Sequence, residues 1–160
     1  MDTALFYDMR IVVSACLAGF SCRYDGKANT VPFIRSLYER NLVLPLCPEC
    51  LGGLPVPRTP CEIRADRVIS KNGTDCTQNF MSGAFLALQY ARFYGANFAI
   101  LKEKSPSCGV GQVYDGTFSK TLIKGDGIFA RMLRENNFFV CTEKDSVLEK
   151  FLTWFSCDYE

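Results

Sequence analysis

Three short apolar runs in this sequence each give way to a loop that contains a cysteine. The runs cover residues 10–15, 42–46 and 98–101, and the cysteines that follow them are Cys16, Cys47 and Cys108. Short runs rich in β-branched and aliphatic residues that stop at small or turn-forming residues are typical of buried strands. The pattern therefore predicts three strands, each of which leads into a loop that carries a thiol.

Segments with helical spacing alternate with these strands. We expect helices over residues 31–40, 75–94, 127–135 and 145–155, and a fourth strand over residues 138–141. Residues 112–124 predict mixed turn and strand. Residues 50–60 predict a long loop, because two adjacent glycines and three prolines exclude regular structure there.

The alternation of strands and helices predicts the fold class. Strands that alternate with helices pair in parallel through right-handed crossovers. We therefore expect an α/β protein with a single Rossmann-like domain over residues 1–160, built as a three-layer sandwich with a mostly parallel sheet. Ligands bind at the carboxyl ends of the strands in such sheets, so the loops of Cys16, Cys47 and Cys108 should converge there.

The composition limits the chemistry that this chain can perform. Its 160 residues include nine cysteines and no histidine, so proton transfer falls to carboxylates, hydroxyls, lysines or thiolates, and metal binding falls to sulfur. An odd number of cysteines in a chain with a full apolar core disfavours a secreted disulfide framework. A formal net charge of +1 provides no broad basic field for nucleic acid. No stretch approaches the roughly 20 apolar residues of a membrane span, so we expect a cytoplasmic protein.

The cysteines are not equivalent in their surroundings. Cys47 and Cys108 have proline or glycine neighbours, and Cys16 follows a strand, so these three are candidate metal ligands. The cysteines that the sequence predicts to be core or incidental are Cys22, Cys61, Cys76, Cys141 and Cys157.

Two other interpretations of the cysteines stay open at this point. Cys47 and Cys50 form a Cys-x-x-Cys motif, which suggests a thiol–disulfide oxidoreductase, although the glycines and prolines that follow disfavour the helix that such a motif should open. A structural zinc site could instead use Cys16, Cys22, Cys47 and Cys50, but it would leave Cys108 unexplained.

Five sequence blocks resemble the signature of the thiouracil desulfidase family. They are Val-Ser-Ala-Cys-Leu at 13–17, Arg-Tyr-Asp-Gly at 23–26, Cys-Pro-Glu at 47–49 with Leu-Gly-Gly-Leu-Pro-Val-Pro-Arg at 51–58, Leu-Lys-Glu-Lys-Ser-Pro-Ser-Cys-Gly at 101–109, and Tyr-Asp-Gly-Thr-Phe at 114–118. Together these blocks span roughly residues 10–140.

The resemblance implies a [4Fe–4S] cluster held by three cysteines, which correspond here to Cys16, Cys47 and Cys108. The fourth iron then has no protein ligand and acts as a Lewis acid on the carbon–sulfur bond of a thiolated pyrimidine. Cys50 is a departure, because the family usually has an aliphatic residue at that position. We expect three ligands nevertheless, since a fourth thiolate would close the open iron.

The resemblance also implies catalytic roles for Glu49 and Ser105. Glu49 would deprotonate the attacking water, and Ser105 would hydrogen-bond the pyrimidine or that water. The turn of Arg23, Tyr24 and Asp25 offers a ring that can stack on a base and polar groups for its edge.

The expected substrate is a small thiolated pyrimidine or nucleotide, with thiolated transfer RNA as a further candidate. The rival hypothesis is a non-catalytic metal-binding protein, either a structural zinc protein or an iron–sulfur sensor, in which Glu49 and Ser105 are ordinary loop residues.

Overall fold

A four-stranded parallel sheet lies at the centre of the computed structural model, which describes residues 9–148 and 150. The strands of the fold are β1 (Ile11–Ser14), β2 (Val43–Leu46), β3 (Cys61–Arg64), β4 (Arg67–Ser70), β5 (Phe98–Leu101), β6 (Gln112–Tyr114), β7 (Leu122–Lys124) and β8 (Phe139–Thr142). The strand order in the central sheet is β2–β1–β5–β8, and each pair of neighbouring strands is parallel. Pro45 lies in β2 at the sheet edge, where a missing ladder donor is tolerated.

Helices cover both faces of this sheet. They are a 3₁₀ turn (Ala15–Ala18), α1 (Pro32–Glu39), α2 (Pro48–Leu51), α3 (Thr77–Tyr94) and α4 (Ile128–Glu135). Because successive strand residues point to opposite faces, Val12 packs with α3 and α4 while Ile11 and Val13 pack with α1 and the 3₁₀ turn. These three layers confirm the predicted Rossmann-like α/β sandwich.

Two antiparallel hairpins, β3–β4 and β6–β7, stand outside the central sheet. The second falls within the segment predicted as mixed turn and strand, whereas the first was not predicted. Its turn consists of Ala65 and Asp66, and Ala65 adopts a φ of 55°. Hairpin turns of this length usually carry Asn-Gly or Asp-Gly, so this sequence lacks the signal by which such a turn is recognised.

The prediction of an irregular loop over residues 50–60 is wrong at its start. Cys50 and Leu51 belong to α2, a single helical turn that begins at Pro48. Proline is favoured at the first position of a helix, since its missing N–H has no partner there in any case.

The backbones of α2 and α3 touch without side chains between them. A Cβ atom on Gly83 of α3 would lie 1.9 Å from the carbonyl oxygen of Pro48, and one on Gly52 would lie 2.0 Å from the carbonyl oxygen of Asn79. The Asn79 side chain also donates a hydrogen bond to the Gly52 carbonyl at 2.9 Å. The two glycines therefore fix the position of the segment that carries Cys47 and its neighbours.

The predicted helix over residues 145–155 lies mostly outside the described residues, as does Cys157. Within the described part of the chain, no helix combines the length and apolar character that a membrane crossing requires.

The Gly83→Ala substitution should test the contact between α2 and α3. In an unobstructed helix this change stabilises a protein by roughly 0.5–1 kcal/mol. Here the added methyl group would overlap the Pro48 carbonyl, so we expect destabilisation by about 1–3 kcal/mol in urea unfolding under reducing conditions. Ser82→Ala, at an exposed position of the same helix, is the control and should change stability little. A Gly83→Ala protein as stable as the parent would contradict the backbone contact.

Candidate active site

A cavity of about 570 Å³ opens at the carboxyl ends of β1, β2 and β5. Cys16, Cys47 and Cys108 all line it, as the strand pattern predicted. Glu49 and Ser105 line the same cavity. Its size is typical of pockets that hold small ligands.

Local structure explains how each of the three thiols reaches this cavity. Cys16 lies in the 3₁₀ turn directly after β1, and Cys47 is the residue that precedes α2. Cys108 lies in a turn held by the Ser105 hydroxyl, which accepts hydrogen bonds from the amides of Ser107 at 3.2 Å and Cys108 at 3.1 Å. The following residue must be glycine, because a Cβ on Gly109 would lie 2.7 Å from the Ser105 carbonyl oxygen.

The environment of Cys47 and Cys108 favours the neutral form of both thiols in the absence of a cation. Burial raises the pKa of Cys108 to about 12, although hydrogen bonds with the hydroxyls of Ser14 and Ser107 act in the opposite direction. A hydrogen bond with Cys22, together with burial, raises the pKa of Cys47. Binding of a metal centre would displace these protons, because thiolates are the ligating form.

The donor set fits an iron–sulfur cluster. Sulfur is a soft ligand that suits iron–sulfur and zinc centres, and the chain has no histidine to offer a nitrogen. Among the described residues, no three cysteine, aspartate or glutamate side chains converge on one point as ligands of a single ion do. Each cysteine of a four-iron cubane binds a different iron, so such ligands stand further apart than those of a single ion.

Two cysteines occupy positions that the sequence did not predict. Cys22 and Cys61 were expected to be core or incidental, but both are only half-buried and line the cavity. The Cys22 thiol is hydrogen-bonded with Cys16 and with Cys47. A glycine or proline neighbour was the signal used for exposure. Cys22 has no such neighbour, whereas Pro60 directly precedes Cys61, so the signal was present at Cys61 and was overlooked. Cys76 and Cys141 are buried, as predicted.

The Cys-x-x-Cys motif does open a helix, so the ground for disfavouring a redox role was wrong. The pKa values of the two thiols give a better reason to disfavour a redox role. Burial and the neighbouring Cys47 raise the pKa of Cys50 to about 11, and the pKa of Cys47 is raised as well. Reactive Cys-x-x-Cys thiols have lowered pKa values, so this pair lacks the activation that thiol–disulfide exchange requires.

Glu49 forms a buried ion pair with Arg58. The carboxylate oxygen Oε2 accepts a hydrogen bond from Nε of Arg58 at 2.7 Å and lies 2.7 Å from Nη2 in the ion pair, and the side chains of Glu49 and Arg58 are 13% and 7% exposed. Burial lowers the pKa of Arg58, but the adjacent Glu49 carboxylate more than offsets this and the pKa is raised. A permanent positive charge therefore stands beside Glu49.

Arg58 also joins two loops of the cavity. Its Nη2 donates to the Cys22 carbonyl at 2.9 Å, and its amide donates to the Tyr24 carbonyl at 2.8 Å. Sequence reasoning did not select Arg58, although it ends the block at 51–58. A carboxylate placed in a cavity needs a counter-charge, and Arg58 is the first basic residue that follows Glu49 along the chain.

A chain of hydroxyls reaches the other oxygen of Glu49. Ser107 is 3% exposed, and its hydroxyl donates to Glu49 Oε1 at 3.0 Å. The Ser105 hydroxyl lies 3.0 Å from that of Ser107. Since Ser105 already accepts two amide hydrogen bonds, its own proton can point toward Ser107. Sequence reasoning missed Ser107, although the Ser-Pro-Ser-Cys segment places it between Ser105 and Cys108.

The turn of Arg23, Tyr24 and Asp25 contributes two of its three residues to the cavity. Arg23 and Tyr24 line it, with the guanidinium 5.7 Å from the centre of the tyrosine ring. The Asp25 carboxylate is instead engaged by Arg23 Nη2 at 3.1 Å and by the Lys27 amide at 3.0 Å. Asp25 therefore orients Arg23 within the turn.

A strained loop contributes to the wall of the cavity. Phe118 and Lys120 line the cavity with φ values of 56° and 63°, a region that non-glycine residues rarely adopt. The buried carboxylate of Glu62 accepts hydrogen bonds from the amides of Gly116 at 2.9 Å and Phe118 at 3.0 Å. Strained residues that a buried group holds in place are common at ligand sites.

Comparison with known proteins agrees with this geometry. A sequence model of the family described as 2-thiouracil desulfurase matches residues 11–145, which include all the cavity residues named above. The chain belongs to the 2-thiouracil desulfurase family. The resemblance found in the sequence blocks is thereby confirmed.

Two relatives of this 2-thiouracil desulfurase family member are similar over most of its length. The uncharacterized protein YbbK of Bacillus subtilis (strain 168) is 39% identical over 145 residues, which cover 84% of this chain and 96% of YbbK. A solved structure titled as the [4Fe–4S]-dependent thiouracil desulfidase TudS is 37% identical and superimposes with a TM-score of 0.84. This match covers 92% of the present chain and 99% of TudS.

Removal of Arg58 should destabilise the protein. Arg58→Ala leaves the Glu49 carboxylate in a buried position without its counter-charge, and the loss of one partner of a buried pair costs about 3–5 kcal/mol. Arg67→Ala is the matched control, because its pair with Asp75 is 66% and 46% exposed and should contribute little to stability. Chemical denaturation at neutral pH measures both. Equal effects of the two substitutions would show that the Glu49–Arg58 pair is not buried in solution.

Proposed function

We propose that this chain is a [4Fe–4S]-dependent desulfidase that replaces C=S by C=O in thiolated pyrimidines. The observation that carries the proposal is the convergence of Cys16, Cys47 and Cys108 with Glu49 and Ser105 in one cavity. The family of the chain and its similarity to TudS support the same activity.

Cys16, Cys47 and Cys108 would hold the cluster, because they come from three strand ends and surround the cavity. When bound, a cluster with three protein ligands supplies an iron that can act as a Lewis acid on the thiocarbonyl sulfur. A hydrogen bond from the Ser14 hydroxyl to Cys108 favours the thiolate, which is the ligating form.

The residues of the chain supply the proton transfers of the reaction. The overall exchange is a hydrolysis in which water provides the oxygen and sulfur leaves as hydrogen sulfide, so it needs no oxidant or reductant. Glu49 takes a proton from water, and Arg58 holds the carboxylate in place through a hydrogen bond from Nε and the ion-pair contact of Nη2. Ser107 and Ser105 extend this path, since their hydroxyls connect Glu49 to the cavity wall near Cys108.

The charge of the cavity favours an anionic substrate. Its lining includes six basic and three acidic side chains: Arg23, Arg58, Lys71, Lys102, Lys104 and Lys120 against Glu49, Glu62 and Glu103. Arg23 pairs with Asp25 and Lys102 pairs with Glu143, so the excess is carried by Lys71 and Lys120. A thiolated pyrimidine nucleotide would match these lysines through its phosphate. Tyr24 and Phe118 offer rings on which the base can stack. Thiolated transfer RNA and the cytoplasmic location stay predictions.

The rival function is a metal-binding protein without catalytic activity. It would use the same cysteines for zinc or for a sensing cluster and would leave Glu49 without a chemical role. Metal analysis distinguishes zinc from iron, and turnover of a thiopyrimidine by the iron-loaded protein distinguishes an enzyme from a sensor.

Alanine substitutions should identify the cluster ligands. We expect Cys16→Ala, Cys47→Ala and Cys108→Ala each to lose most of the iron and sulfide after anaerobic reconstitution, together with the broad absorption near ~400 nm. Cys141→Ala, at a buried position in β8, is the control and should keep both. Cys50→Ala should keep them too. A protein that loses its iron with Cys22→Ala but keeps it with Cys108→Ala would contradict this ligand assignment.

Glu49→Gln should separate catalysis from cluster binding. The amide keeps the shape of the side chain but cannot accept a proton from water, so we expect kcat to fall by about 10²–10⁴ at unchanged iron content. Loss of thiocarbonyl absorbance of a thiouracil nucleotide under anaerobic conditions measures the rate. Glu39→Gln, on the exposed side of α1, is the control and should retain full activity. Unaltered turnover by Glu49→Gln would remove Glu49 from its role.

A further inference from the structure

The buried carboxylate of Glu62 is balanced in a different way from that of Glu49. Glu62 lies on β3, is 8% exposed and lines the cavity. No basic side chain of the described residues forms an ion pair with it. Its oxygen Oε2 instead accepts hydrogen bonds from the backbone amides of Gly116 and Phe118. A buried carboxylate requires such donors, so Glu62 and the segment that contains these amides hold each other in one arrangement.

That segment is the loop of residues 115–121, which joins β6 to β7. Arg64 contacts the same loop, because side chains two residues apart on a strand lie on one side of it. Arg64 Nη2 donates a hydrogen bond to the Gly116 carbonyl at 2.8 Å. Gly116 has a φ of 89°, and a Cβ atom there would lie 2.8 Å from the Ile63 carbonyl oxygen. The backbone of the loop therefore packs directly against that of β3.

Loop 115–121 has a conformation that these contacts must maintain. Phe118 and Lys120 both have positive φ values, which disfavour this conformation in the absence of compensating interactions. The hydrogen bonds between side chains within the loop are exposed, so water competes for them. The hydrogen bonds to Glu62 are buried or half-buried, and they therefore favour the observed conformation more strongly.

We infer that Glu62 is a positioning residue for binding of the thiolated pyrimidine nucleotide, an inference that rests on the proposed function. Glu62 holds loop 115–121 so that Phe118 and Lys120 line the cavity. Phe118 offers a ring on which the base can stack, and Lys120 offers a positive charge for the phosphate. Glu62 thus acts on the substrate through the loop.

Loss of the Glu62 contacts should weaken substrate binding and leave the chemical step intact. Without them the loop populates other conformations, and the apparent affinity falls in proportion to the fraction of molecules that keep the binding-competent one. A substrate that does bind still meets Glu49 and Cys47, whose segment is fixed by the contact between α2 and α3. We therefore expect an increase in KM without a matching fall in kcat.

Steady-state kinetics of the reconstituted protein tests this separation. Glu62→Ala should raise KM for a thiouracil nucleotide by about 10–100-fold, with kcat within about twofold of the parent and unchanged iron content. Glu62→Gln should restore KM, because the amide oxygen still accepts both backbone hydrogen bonds. Arg67→Ala, at an exposed position of the same hairpin, is the control and should leave both constants unchanged. An unchanged KM in Glu62→Ala, or an equal loss of kcat, would overturn the inference.

Limited digestion with trypsin gives a measurement that does not depend on activity. Trypsin cleaves after lysine, and its rate at Lys120 follows the population of molecules in which the loop is released. Glu62→Ala should be cut there about 10-fold faster than the parent, and Glu62→Gln at the rate of the parent. Uridine monophosphate, which has no thiocarbonyl group, should slow this cut in the reconstituted parent. Equal rates for Glu62→Ala and the parent, or no protection by the nucleotide, would overturn the inference.

Arg64→Ala removes the other contact with the loop at an exposed position of β3. It should shift KM and the cleavage rate in the same direction as Glu62→Ala, by about threefold. This variant decides the matter if Glu62→Ala does not fold, and unchanged values of both quantities would then overturn the inference. A parent that turns over no thiopyrimidine, but whose loop is protected by Glu62 and by uridine monophosphate, would overturn the proposed function and still support the positioning role.

Discussion

The ion pair between Glu49 and Arg58 is the interaction on which the architecture of the cavity depends. Arg58 uses one guanidinium group to hold the carboxylate and the Cys22 carbonyl, and its amide holds the Tyr24 carbonyl. Glu49 in turn accepts a hydrogen bond from the hydroxyl of Ser107, which lies beside Cys108. Segments distant in the sequence are thus joined through one buried carboxylate, in a chain that has no histidine to take over its chemistry.

The sequence was sufficient to predict the sheet and the meeting of the three thiols. The strand segments are short, apolar and bounded by turn-forming residues. Parallel pairing brings their carboxyl ends to one edge of the sheet. The grouping of Cys16, Cys47 and Cys108 could therefore be predicted without knowledge of side-chain packing. Glu49 and Ser105 followed from the resemblance, since nothing in their spacing alone sets them apart from ordinary loop residues.

What the sequence could not predict depends on contacts between distant segments. Arg58 and Ser107 acquire their roles only because β2 and β5 flank β1, which brings their loops together around Glu49. Cys22 reaches the cavity through an irregular loop whose course no periodic pattern describes. The same holds for charge, because a net value of +1 does not show that six basic side chains line the cavity, where Arg23 pairs with Asp25 and Lys102 pairs with Glu143.

The contact between Gly52 and Gly83 makes one part of the cavity wall less tolerant of substitution than another. On the side of α2, backbone meets backbone, so the position of Cys47 and Glu49 admits no adjustment by repacking of side chains. In another part of the wall, Phe118, Lys120 and Tyr24 meet the cavity with side chains that can be exchanged without moving a helix. Substitutions of Phe118, Lys120 or Tyr24 can therefore change the shape of the cavity without displacing the segment that carries Cys47 and Glu49.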